Sequence, residues 1–177
     1  VSGAGLRDCL DGVAGARKAH KSGHSGRGKL RGRRRARDCL GLLLAILDAR
    51  QNPDVPERCG AERFEVAAPG TGYKSLPEGT RVALLLRELA TARPLTSPFA
   101  SYSDETVGEM EMLRTCARIH KVYGPEAIQT CIISKAEGVS DMLELALLLK
   151  EVGLVDPAGS AAVNIVPLFE TIEDLRN

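Results

Sequence analysis

The sequence predicts an α/β fold, helix-rich, in which short buried strands alternate with amphipathic helices as in a parallel sheet or barrel of βα units. It also predicts a disordered basic stretch ahead of that fold. Three observations carry this expectation. Apolar runs of strand length stand at 42–47, 130–133 and 163–169, and helix-starting signals follow the last two. A chargeable residue sits just past each run, at Arg50, Lys135 and Glu170, where the strand ends of parallel α/β folds gather their ligands. The charge is also unevenly spread. Residues 1–40 hold eleven Lys or Arg against three Asp, whereas the rest holds thirteen basic against twenty acidic residues, so a net charge of +1 conceals two differently composed pieces.

The totals fit one ordinary domain: 177 residues, 44% hydrophobic and 27% charged, enough apolar surface for a core. Five cysteines (9, 39, 59, 116 and 131) are odd in number and form no C-x-x-C pair, which argues against a disulfide framework or zinc ribbon and suits a reducing cytosol. No apolar run reaches the roughly 18 residues a membrane helix needs, and the N-terminus carries no secretory signal. The chain begins at Val1 and reaches Asn177 just as a helix is opening, so it reads as a piece of something larger.

Residues 1–40 combine eight glycines with the run RGRRRAR at 31–37 and no aromatic side chain. High charge with little to bury predicts disorder. Three readings stand side by side: an arm binding nucleic acid through phosphate neutralisation, an inert tail, or out-of-frame translation of a GC-rich gene. The missing stacking aromatics weigh against the first. His20 and His24 stand four apart without a helical pattern to align them. The folded part is expected to span 41–177.

In that part the leucine-rich run at 42–47 reads as a buried strand or a buried helix, which periodicity alone does not separate; as a strand it carries Asp48, Arg50 and Gln51 at its C-terminal end. Residues 53–75 read as irregular, because Pro53, Pro56, Pro69, Gly70 and Gly72 break every period. GTGYKS at 70–75 lacks phosphate-loop spacing. Val82, Leu85, Leu86 and Leu89 mark one helical face. Ser103, Asp104 and Glu105 open a longer helix with Met110, Leu113, Cys116 and Ala117, stopped by Gly124 and Pro125. A second strand at 130–133 has Ser134, Lys135 and Glu137 beyond it. Ser140 and Asp141 cap an apolar helix over 142–152 that Gly153 closes. Val163, Ile165, Val166, Leu168 and Phe169 then read as a strand buried on both faces. Glu170 stands at its tip, and Thr171 with Asp174 forms a capping box for a following helix.

Several of these segments resemble phosphoenolpyruvate carboxylase: LDARQN at 47–52, RVALLLREL at 81–89, RPL at 93–95 with Ser97 and Pro98, YGPEAI at 123–128, IISKAEGVSD at 132–141 and VPLFETIEDLRN at 166–177. The likeness runs in order over 41–58 and 76–177, while 1–40 and 59–75 match nothing expected of the family. The resemblance implies an internal piece, with about three strands, of a β/α (TIM-type) barrel in a cytoplasmic homotetramer. It implies carboxylation of phosphoenolpyruvate with bicarbonate to oxaloacetate and phosphate, an anaplerotic carbon fixation feeding the tricarboxylic acid cycle, with Mg²⁺ (or Mn²⁺) as cofactor. The glutamate of the family's L-F-E-T motif, a metal ligand, falls on Glu170. The arginine of its L-D-x-R-Q motif, which binds the substrate phosphate, falls on Arg50.

The departures are specific. Ala49 stands where a bulky apolar residue is usual and Pro56 where histidine is. The T-A-H-P-T, G-Y-S-D-S and Gly-rich arginine segments are absent. The competing reading, a non-catalytic nucleic-acid-binding protein using the Arg-rich arm, predicts strongly salt-dependent binding. On the carboxylase reading, the purified 177-residue chain lacks the catalytic histidine and the second metal carboxylate and forms no oxaloacetate. Coupling its product to malate dehydrogenase checks this, and phosphoenolpyruvate-dependent turnover would refute it.

Overall fold

The computed structural model describes residues 3–19, 28–40, 46–172 and 174. It falls into two compact units, Val1–Ala45 and Ile46–Asn177.

In the first unit the basic stretch is helical where it is described, which corrects the expectation of disorder. Helix α1 spans Gly3–Ala19 and α2 spans Lys29–Leu40. Leu6, Leu10 and Ala14 recur every fourth residue and are partly buried, as are Leu30 and Arg34 on α2. Arg34 Nη2 meets Asp11 Oδ1 at 2.6 Å. Arginine, alanine and leucine are good helix formers, and averaging over glycine and charge hid that local pattern. His20 and His24 lie outside the described residues.

The second unit is built on a three-stranded parallel sheet in the order β1-β2-β3, with β1 Leu47–Gln51, β2 Ile128–Ser134 and β3 Asn164–Leu168. Arg50 pairs with Ile132 and Ile132 with Val166, so one row crosses all three strands. The sheet is open at β1 and β3, and no closed barrel forms among the described residues. This corrects the partial TIM-type barrel, because closure needs about eight strands whose tilt and stagger return the last onto the first. The expectation of strands buried on both faces fails with it. Cys131 and Ile133 point into the core, whereas Arg50, Val166 and Leu168 on the opposite face are exposed.

Most of the 42–47 run falls outside the described residues, and β1 begins at Leu47. Asp48, Arg50 and Gln51 therefore lie within the strand instead of beyond it. Alternation places Asp48 and Arg50 on the open face and the buried Gln51 inward, where its Nε2 donates to Glu109 Oε1 at 2.6 Å.

Between β1 and β2 run α3 (Asp54–Ala67), α4 (Glu78–Leu89) and α5 (Asp104–Tyr123). Helix α3 corrects the irregular reading of 53–75. Pro53 and Pro56 fall before and within its first turn, where backbone N–H groups have no intrahelical partner, so they start the helix instead of breaking it. Helix α5 starts as expected, with the Ser103 Oγ accepting from Thr106 N at 3.3 Å, and ends at Gly124.

Helix α6 (Val139–Glu151) links β2 to β3 and begins a turn earlier than expected. Asp141 reaches back to accept from Glu137 N and Gly138 N, and Ser140 donates its hydroxyl to Glu78 instead of capping. Every residue from Leu145 to Lys150 is buried. Leu145, Leu148 and Leu149 join Cys59, Met110, Leu113, Cys131 and Ile133 in the core between helices and sheet. Leu147 belongs to an outer cluster with Phe64, Tyr73, Leu85 and Leu95.

The polar residues of α6 are spent on its neighbours. Lys150 Nζ donates to the carbonyls of Glu88, Thr91 and Arg93 at 2.7, 3.0 and 3.2 Å, satisfying the end of α4. Glu151 accepts from Leu95 N and from both the backbone and hydroxyl of Thr96. Glu144 Oε1 accepts from the Tyr73 hydroxyl at 2.7 Å, and Arg81 Nη1 stands 3.7 Å away.

Burial pushes the Glu144 carboxyl from 4.5 up to about 7, against the opposing pull of Tyr73 and Arg81. Between those values the folded state holds a proton that the unfolded chain has lost, so stability falls as pH rises through that window. Urea melts at pH 5 and pH 8 are expected to show this fall and to show it flattened by Glu144→Gln, which keeps the acceptor for Tyr73; an unchanged slope removes Glu144 as its source. Tyr73→Phe leaves the carboxylate without its donor and costs about 1–3 kcal/mol at neutral pH.

Candidate functional site

The C-terminal edge of the sheet collects the residues singled out from the sequence. Arg50 projects from β1 onto the open face, and its Nε donates to the Ser134 Oγ at 2.6 Å. Ser134 is the last residue of the central strand, paired with Leu168 of β3. Two residues past Leu168 stands Glu170, whose Oε1 lies 3.7 Å from Arg50 Nη2. Residues far apart in the chain, from three successive strand ends, thus converge. The Arg50 and Glu170 side chains remain 61% and 45% exposed, so the contact is an open ion pair, beyond hydrogen-bond length and weak by itself.

Local backbone devices hold this edge. Ala136 N donates to Leu168 O at 3.2 Å, carrying the β2–β3 connection past the last paired residue. Asp174 Oδ2 accepts from Glu170 N and Thr171 N at 3.0 and 2.9 Å, and Asp174 N donates to Thr171 Oγ at 3.1 Å. That is the reciprocal pattern expected of Thr171 and Asp174, and bonding to Thr171 holds the Asp174 carboxyl below its ordinary range. Residues 175–177, where the following helix was expected, lie outside the described residues. Lys135, directly after β2, has φ 55°, a conformation that side-chain-bearing residues rarely adopt, and its Nζ lies 3.7 Å from Glu137.

Beside this edge lies a cleft of about 380 Å³ whose lining includes Asn52, Glu57, Glu78, Arg81 and Lys135. Arg50, Ser134 and Glu170 are not among its walls. Of the three strand-end residues, Arg50 and Glu170 come together and Lys135 turns toward Glu137. The contact that sequence reasoning missed is Arg50 to Ser134. Ser134 was visible as a residue past an apolar run, but its pairing depends on a register across 84 positions.

A hard divalent cation such as Mg²⁺ takes carboxylate oxygen and retains several waters, so one or two protein carboxylates suffice. Glu170 offers such an oxygen at the exposed edge. Among the described residues no group of three or more His, Cys, Asp or Glu is gathered to hold a metal alone. The donor set fits one ligand of an open, water-rich site. No described helix is long and apolar enough to cross a membrane.

Comparison with known proteins finds a family model, phosphoenolpyruvate carboxylase, matching residues 2–177, the basic stretch included. A phosphoenolpyruvate carboxylase of Rhodopseudomonas palustris is 56% identical over 167 residues, 94% of this chain and 18% of that protein. One from Azorhizobium caulinodans is 54% identical over 173 residues, 98% of this chain and 19% of that protein. One from Azoarcus is 53% identical over 175 residues, again 98% and 19%. The chain spans about a fifth of the length of these relatives.

Proposed function

This chain belongs to the phosphoenolpyruvate carboxylase family, and we propose that it serves, within a full-length enzyme of that family, to bind phosphoenolpyruvate and its divalent metal at the C-terminal edge of the sheet. The observation that carries the reading is the convergence of Arg50 and Glu170 at 3.7 Å from two strand ends.

The reaction joins bicarbonate to phosphoenolpyruvate. A bicarbonate oxygen attacks the phosphorus, the enolate leaves, and the carboxyphosphate releases phosphate and CO₂. The enolate carbon then attacks CO₂ to give oxaloacetate. Arg50 binds the phosphate: its planar guanidinium suits two phosphate oxygens at once, and its permanent charge offsets the charge carried through the transfer. Glu170 supplies a carboxylate oxygen to Mg²⁺ or Mn²⁺, which when bound stabilises the enolate oxygen as a Lewis acid. Its two neighbouring amides, tied to Asp174, fix the loop from which the carboxylate projects. A cytoplasmic homotetramer feeding oxaloacetate to the tricarboxylic acid cycle completes the proposal.

The nucleic-acid reading gains no support. The basic stretch lies inside the family match, and its described part folds as two helices.

In the full-length enzyme, Glu170→Gln is expected to weaken Mn²⁺ binding at least tenfold, read by the free-ion electron paramagnetic resonance signal. Arg50→Lys is expected to raise the KM for phosphoenolpyruvate at least tenfold while leaving that for bicarbonate within about twofold, since only phosphoenolpyruvate carries the phosphate. Unaltered Mn²⁺ affinity would remove Glu170 from the metal site. An unaltered KM would remove Arg50 from the phosphate site.

A further inference from the structure

We propose that Ser134 is a positioning residue for Arg50, holding its guanidinium by the Nε–H so that both Nη nitrogens face the phosphate-bearing substrate. The inference rests on Arg50 as phosphate binder and adds the device that aims it.

The sheet register makes the contact. Arg50 on β1 is paired with Ile132 on β2, and Ser134 stands two residues farther along the same strand. Side chains two apart on a strand share a face, and the diagonal neighbour across a strand pair is within reach of a long side chain. Arg50 spans that diagonal and donates its Nε–H to the Ser134 Oγ at 2.6 Å. Ser134 is itself fixed, since β2 is the central strand and Ser134 pairs with Leu168 of β3.

The chemistry of the partner matters as much as its place. An exposed arginine samples many rotamers, and a binding group ordered in advance loses less freedom when its ligand arrives. A carboxylate on Nε would order the side chain but cancel the charge that a phosphate needs. The serine hydroxyl is neutral, so it accepts one N–H without adding a second negative group to the Glu170 carboxylate that already faces the guanidinium at 3.7 Å. The other group near the fork, Glu170 Oε1, is 3.7 Å from Nη2, too far for a hydrogen bond. Among the described residues no hydrogen bond occupies the Nη groups, and the fork stays open to an anion.

The test uses the full-length enzyme with Ser134→Ala, Ser134→Thr, Arg50→Lys and the double variant Arg50→Lys/Ser134→Ala. Ser134→Ala is expected to raise the KM for phosphoenolpyruvate about fivefold to tenfold, with a much smaller change in kcat, and to weaken phosphoenolpyruvate binding equally in calorimetric titrations without bicarbonate. Ser134→Thr restores the hydroxyl and is expected to return the KM to within about twofold. Lysine has no Nε–H at that place, so Ser134→Ala adds nothing in the Arg50→Lys background. A normal KM in Ser134→Ala, beside a raised one in Arg50→Lys, overturns the positioning role and leaves Arg50 as phosphate binder. An equal effect of Ser134→Ala in both backgrounds also overturns it, because the hydroxyl then acts independently of Arg50. A normal KM in Arg50→Lys overturns the reading of Arg50 itself.

Discussion

Helix α6 is the constraint on which the second unit depends. It is buried along most of its length, with leucines turned both toward the sheet and toward the outer cluster. A helix apolar all round must be enclosed, and each surrounding element is held by what α6 presents to it. Lys150 and Glu151 bind the chain on either side of Arg93, and Glu144 binds Tyr73. Buried charges are tolerated where their hydrogen bonds are made, and these bonds tie irregular segments to a rigid helix. Arg63 departs from that pattern. It is 1% exposed, 3.7 Å from Glu151, with Nε and Nη1 lacking hydrogen-bond partners among the described residues. Its charge is compensated by proximity and by the Tyr102 ring at 6.0 Å.

Because α6 joins β2 to β3, its seating also decides where Glu170 stands. The helical layer covers one face of the sheet and leaves the other open. The two-residue period of the strands does the sorting: Ala49, Cys131 and Ile165 pack inward, whereas Arg50, Ser134 and Leu168 belong to the open side. A change of register by one residue would bury Arg50 and strand the core side chains in solvent, so packing and site geometry are specified together.

What could be read in advance followed from local signals. Helices α4, α5 and α6 announced themselves through apolar stripes, and α5 also through Ser103 and Gly124, since a cap and its helix lie within a few residues of each other. Helix α3 escaped because proline is a breaker inside a helix and a starter at its first turn, and only the position tells which. The basic stretch escaped because its total composition masked Leu6, Leu10 and Ala14 at helical spacing. Strand β1 was displaced because a leucine run carries no alternation to mark where pairing begins. Closure of the sheet is a property of strand number and stagger, which no local pattern encodes. At the candidate site, Glu170 was legible as a residue just past its strand, whereas Arg50, read as standing beyond the first strand, lies within it. The hydrogen bond to Ser134 was not legible, because it needs the register of two strands separated by three helices.

Those three helices have a kinetic side. Residues 52–127 lie between β1 and β2, whereas residues 135–163 lie between β2 and β3. Chain closure over the longer span costs about 1 kcal/mol more by the logarithmic dependence on loop length. The β2–α6–β3 unit therefore nucleates more readily, with β1 docking onto a preformed edge. Arg50 therefore meets Ser134 and Glu170 only through the strand pairing that carries the larger entropy of closure.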